Sequence, residues 1–159
     1  TGGVSVGDYD FVQDVIKEEL NAEVLFHGVK VKPGMHILVA LKDNKVIIAL
    51  PGFAYSSTVC AVLYLLPMIY KLRGGHEKLP IVKAKIEQDF PLKMEKTIFT
   101  ACNVQYIDSE YIINFDGKKS GTSAILTNML DSPALLIQEE NSQNLKAGDD
   151  AKILLLNQL

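Results

Sequence analysis

The chain has 159 residues, of which 48% are hydrophobic and 22% charged, and its formal net charge is -3. These proportions are those of an ordinary globular protein with room for one domain or two small ones. No basic block is present to hold nucleic acid or an anionic membrane, and the apolar run over 61–70, interrupted by Pro67, is shorter than a bilayer-spanning helix. Cys60 and Cys102 are far apart and lack metal-ligand spacing. Both read as small buried hydrophobes in a reducing, cytoplasmic setting.

The chain opens on Thr1-Gly2-Gly3-Val4-Ser5-Val6-Gly7-Asp8-Tyr9-Asp10. Glycines lack the Cβ that keeps an anion away from backbone N–H groups, and a helix start adds unpaired donors and a positive dipole end. The loop therefore has the chemistry of a phosphate seat, with Asp8 and Asp10 beside it to hold a cation or handle a proton. The same residues also read as a Gly-rich turn in which Asp8 caps a helix and Asp10 sits in its first turn, stabilised by the dipole. Phe11, Val12, Val15, Ile16 and Leu20 recur at helical spacing and predict a helix over 9–21. A glycine loop of this type follows a buried parallel strand, and none precedes Thr1. The chain is therefore expected to be part of a longer protein, with an uncovered sheet face that is relieved by rearrangement, by swapping of elements between chains or by dimerisation.

Residues 23–31 are apolar and β-branched and predict a strand, broken by Lys32-Pro33-Gly34. Two apolar runs, 37–41 and 46–50, flank Lys42-Asp43-Asn44-Lys45 and predict a β-hairpin. Pro51-Gly52 ends it. Residues 55–72 predict a buried helix closed by Arg73-Gly74-Gly75, with Pro67 expected to kink or break it near Leu66. A linker follows at 74–78, and beyond it 81–89, 97–106, 111–115, 134–138 and 152–156 are strand-like. Short strands so spaced predict a small β-barrel or sandwich. Residues 122–129 predict a short helix or turn. His27 reads as structural and His76 as part of the linker, and the sequence supports no Ser/His/Asp or Cys/His arrangement.

The opening string resembles the TGGVSVG(D/E)xD segment of the MoeA/gephyrin E-domain family, the molybdopterin molybdenumtransferases. The resemblance continues through Lys32-Pro33-Gly34 and Leu50-Pro51-Gly52 to the C-terminus. It covers essentially all of this chain but only part of the family's, whose members are more than twice as long. It implies an α/β plus all-β protein. Residues 1–75 would be the C-terminal half of a MogA-like α/β molybdopterin-binding domain, and 79–159 a C-terminal β-barrel domain. It implies molybdenum cofactor biosynthesis: insertion of molybdate into molybdopterin after cleavage of its adenylylated form, with Mg2+.

By the same resemblance, Gly2, Gly3 and Ser5 would contact the pterin's phosphate or pyrophosphate, and Asp8 or Asp10 would bind magnesium or orient water. Lys32, with Gly34, would meet an oxyanion, and Ser56, matching the serine of LPGNPVS, would bind an anion or simply cap its helix. Two departures stand out. Met35 and His36 occupy the Lys-Pro of KPGKP, and Phe53-Ala54 replace the Asn-Pro of LPGNP. They put molybdate insertion in doubt more than pterin binding, so a non-catalytic pterin-binding or scaffold member is the alternative, as is a fragment made inactive by half a site. The partners implied are the pterin, molybdate, a second copy of the chain and a MogA-like protein. Lys118-Lys119-Ser120-Gly121 resembles a turn of the family's barrel in a region that faces its cleft, but from its own residues it reads as a solvated loop.

Overall fold

The computed structural model describes residues 4, 11–76, 78–91, 95–119, 124–131 and 133–159. The chain divides into two units, Thr1–His76 and Glu77–Leu159.

In the first unit, α1 (Val12–Asp14) runs directly into wider π-helical turns over Val15–Glu19. Ile16, on its apolar stripe, is buried with Val4, Leu38, Ala40 and Ala49, and Val12, Ala22, Val24 and Ile47 pack around them. The strands are β1 (Glu23–His27), β2 (Val31–Lys32), β3 (Leu38–Lys42) and β4 (Lys45–Ala49). β1, β3 and β4 form an antiparallel sheet in that order. The expected hairpin is β3–β4, with Lys42 opposite Lys45. Its turn residues Asp43 and Asn44 take φ of 47° and 62°, a left-handed conformation that Asp and Asn tolerate and two-residue hairpins require.

The single strand expected over 23–31 is divided in the structure. Gly28, at φ 88°, turns the chain, and its N–H donates to Ile37 O at 2.8 Å while Val29 N–H donates to Met35 O at 2.9 Å. These bonds fold 28–37 into a loop rather than extending the strand.

A helix then runs without a break over Ala54–Leu72. It comprises α2 (Ala54–Cys60), π-helical turns over Ala61–Leu65, and α3 (Leu66–Leu72). The break expected at Pro67 does not occur. A proline ring collides with a carbonyl one α-turn earlier, and here that stretch is widened, with Leu66 N–H reaching back to Ala61 O. At 19 residues the helix is long and apolar enough, by length and composition alone, to cross a bilayer, which the run over 61–70 did not suggest.

The second unit is a closed barrel of β5 (Ile81–Ile86), β6 (Thr97–Ile107), β7 (Glu110–Asn114), β8 (Pro133–Gln138) and β9 (Asp150–Leu155). The strands follow one another as β6-β7-β5-β9-β8, and β8 pairs back onto β6. All pairings are antiparallel except β5–β7. Closure depends on the length of β6, whose first part (Ile98 to Asn103) pairs with β8 and whose last part (Asn103 to Ile107) pairs with β7. So closed, each of the five strands has a partner strand on both sides. Ile86, Cys102, Ile113, Leu136, Ile153 and Leu155 are among the side chains filling its interior. Phe90 and Phe115 stack at 4.3 Å beside that core. A short 3-10 helix, Leu126–Met129, falls within the segment expected to be a helix or turn.

Candidate functional site

Of the residues singled out from sequence, Gly2, Gly3, Ser5, Asp8 and Asp10 lie outside the described residues. Val4, in the middle of the glycine-rich string, is described. Its side chain is 1% exposed in the core of the first unit, and its carbonyl oxygen accepts the Nε2–H of His27 at 2.9 Å. The chain is thus held at residue 4 by packing on one side and a hydrogen bond on the other.

Lys32 is half-buried at the end of β2, and the Lys32-Pro33 peptide is cis. Gly34 is buried with φ of 107°, a conformation that L side chains rarely adopt. It lies against the long helix. A Cβ built on Gly34 would overlap Cys60 Sγ and would stand 3.8 Å from Ser56 O. The Cys60 thiol donates to Gly34 O at 3.5 Å. Burial pushes that thiol up to about 11, so it remains a protonated donor at neutral pH. Met35, where the resemblance would place a second lysine, is exposed at 37%, and His36 is half-buried.

Leu50-Pro51-Gly52 leaves β4 and delivers the chain to the start of α2, where Phe53 is the extended N-cap residue and accepts Ser57 N–H at 2.8 Å. Ser56 is buried at 4% exposure. Its neighbour Ser57 instead lines an open cleft of about 620 Å³ with Val4, Phe11, Val12, Pro51 and Gly52. The structure therefore joins the three motifs around one helix start. Lys32-Pro33-Gly34 meets the helix through Ser56 and Cys60, while the glycine-rich string (through Val4) and Leu50-Pro51-Gly52 meet it in the cleft beside Ser57. The sequence points to Ser56, whereas Ser57 is the serine that borders the cleft. The Ser56-Ser57 doublet was the available signal.

Among the described residues no three His, Cys, Asp or Glu side chains group as a metal site. In the second unit, Lys118 Nζ donates to Leu130 O at 2.6 Å, and Lys118 borders a polar cleft of about 460 Å³ with Asn103, Asn114, Asp116, Thr127 and Asp131. Asn103 donates to Asn114 Oδ1 at 2.9 Å, and Asn114 donates to Glu87 at 2.8 Å, so those amides are engaged with protein partners. Ser120 and Gly121 of the Lys118-Lys119-Ser120-Gly121 turn lie outside the described residues.

Comparison with known proteins bears on the fold of the two units. Residues 1–71 match the family described as a probable molybdopterin binding domain. The chain is 29% identical over 163 residues to the molybdopterin molybdenumtransferase of Staphylococcus epidermidis, and 29% identical over 157 residues to that of Staphylococcus aureus. Each alignment covers 98% of this chain and 36% of the relative, so the chain spans about a third of the length of those proteins. Two structures of the molybdopterin biosynthesis moeA protein from Pyrococcus horikoshii share its fold. One has a TM-score of 0.70 at 22% identity, covering 92% of this chain and 34% of the other. The second has a TM-score of 0.64 at 23% identity, covering 93% and 39%. The expected fold, part of an α/β domain and then a small β-barrel, is borne out.

Proposed function

We propose that this chain, which belongs to the MoeA/gephyrin E-domain family, serves molybdenum cofactor biosynthesis by holding molybdopterin or its adenylylated form at the start of the Ala54–Leu72 helix. The observation that carries the reading is the packing of Gly34 on Ser56 and Cys60, which sets the Lys32 loop against that helix start. In the whole protein this site would take part in inserting molybdate into the bound pterin, a reading supported by the name molybdopterin molybdenumtransferase carried by the Staphylococcus relatives. Gly2, Gly3 and Ser5 supply backbone and hydroxyl donors to the phosphate or pyrophosphate. Lys32 supplies a cationic head for an oxyanion, and Ser56 or Ser57 contributes at the helix start.

Asp8 and Asp10 are the chain's candidates for magnesium, which favours hard oxygen ligands and one or two carboxylates beside substrate phosphates. When bound, the ion would neutralise charge on the pyrophosphate; the protein's own part is to hold the two carboxylates next to the phosphate loop. A homodimer, a MogA-like partner and a cytoplasmic setting belong to the same proposal.

A second reading, pterin binding or scaffolding without insertion, is favoured by Met35 and Phe53. Where KPGKP would offer an ammonium, Met35 offers a neutral thioether, and where LPGNP would offer an amide, Phe53 presents an exposed ring. Equilibrium binding of molybdopterin to the whole protein, with and without molybdate, separates the two. Molybdate that changes pterin affinity and is incorporated supports insertion, and tight pterin binding indifferent to molybdate supports the second reading. Absence of pterin binding contradicts both.

A further inference from the structure

We propose that Cys60 is a positioning residue for the anion-binding loop: its sulfur seats Gly34 and so sets where Lys32 stands against the helix. The proposal rests on the reading that Lys32 meets an oxyanion. Three observations carry it. First, the space that a β-carbon on Gly34 would occupy is already filled by Cys60 Sγ, with Val31 Cγ2 at 4.0 Å and Ser56 O at 3.8 Å from the same point. Second, Cys60 is wholly buried, and its thiol donates to Gly34 O. That oxygen also accepts Ile37 N–H at 3.3 Å, so one carbonyl is held from the helix and from the start of the following strand. Third, Gly34 connects to Lys32 through Pro33 alone, whose ring fixes φ. A shift of Gly34 is therefore passed to Lys32 with little room for local absorption.

A side chain that merely filled the core would contribute to stability without reference to Lys32. A seat for the loop makes a different demand, because its loss acts through Lys32. The sulfur suits both tasks. It is large enough to close the gap over a glycine, and its S–H is a weak donor that burial keeps protonated.

The test uses the whole protein and anaerobic titration with molybdopterin, at temperatures well below each variant's melting point. Cys60→Ala is expected to weaken binding about tenfold, the size of effect that loss of a well-placed charge-assisted contact brings. Cys60→Ser, which keeps a donor, is expected to recover most of it. Lys32→Gln is expected to weaken binding similarly, and Lys32→Gln with Cys60→Ala no more than Lys32→Gln alone. Wild-type affinity in Cys60→Ala while Lys32→Gln loses binding, or losses that simply add, overturns the proposal. Wild-type affinity in Lys32→Gln would instead overturn the oxyanion reading. The seat is then decided by urea unfolding of Gly34→Ala with and without Cys60→Ala. A smaller cost of Gly34→Ala once the sulfur is gone supports the seat, and additive costs overturn it.

Discussion

The imidazole of His27 donates its Nε2–H to the carbonyl oxygen of Val4 at 2.9 Å, joining β1 to the glycine-rich string across 23 positions of sequence. His27 read as structural from sequence. Its structural task is placed directly beside the residues that the phosphate reading depends on. A glutamine amide reaches about as far as Nε2, whereas an asparagine amide stops near Nδ1. His27→Asn is therefore expected to speed amide exchange in a peptide spanning 1–10 and to cost about 0.5–1.5 kcal/mol, with His27→Gln closer to wild type. Exchange mass spectrometry checks this, and identical behaviour of the two variants would show that the bond to Val4 matters little.

Asn128 makes a reciprocal contact in the barrel. It is buried, its Nδ2 donates to Lys119 O at 2.7 Å, and its Oδ1 accepts Lys119 N–H at 2.9 Å. Asn128→Ala leaves both backbone groups of Lys119 without that partner and should destabilise the barrel by about 2–3 kcal/mol. Asn128→Asp keeps the acceptor, loses the donor and should fall between. Urea unfolding gives the values, and a midpoint unchanged by Asn128→Ala would refute the assignment.

Residues 79–159, expressed alone, are expected to fold as a barrel. The buried side chains of its core all come from that stretch, and its strands close on themselves. Amide NMR decides it: dispersed resonances are expected, and a collapsed spectrum would show dependence on the first unit.

Asp10→Ala is expected to impair hydrolysis of adenylylated molybdopterin by the whole protein far more than Asp8→Ala. The family pattern admits Asp or Glu at the Asp8 position but keeps Asp at the Asp10 position. A helix cap lost to Ala costs about 1 kcal/mol, which a folded domain survives, whereas a metal-positioning carboxylate lost to Ala should cost orders of magnitude in turnover. Near-normal turnover in Asp10→Ala, or a loss that merely follows its melting temperature, would make the residue structural.

The local elements were legible because their signals are local. The Asp43-Asn44 turn announced its hairpin, and the β-branched runs of the second unit announced their strands. From strand spacing alone, barrel closure was not legible as distinct from a sandwich, and only the family resemblance pointed to it. Closure depends on β6 dividing its length between β8 and β7, and strand spacing does not encode that pairing. Gly28 and Pro67 misled in opposite directions. Gly28 inside an apolar run turned the chain, because the N–H groups of Gly28 and Val29 found partners across a loop. Pro67 inside a helical run did not break it, because a widened turn lies just before it. At the candidate site the motifs were legible and their meeting was not. That Gly34 lies under Cys60, and that Ser57 rather than Ser56 opens to the cleft, follows from how the loop packs on the helix.

The central claim is that the Lys32 loop and the helix start form an anion seat for molybdopterin. Its most direct test is the molybdopterin dissociation constant of the whole protein beside that of Lys32→Gln, with melting temperatures measured in parallel. Binding by the wild type and about a tenfold weakening in Lys32→Gln, about 1.4 kcal/mol, are expected at unchanged melting temperature. Equal dissociation constants for the two proteins would contradict the claim.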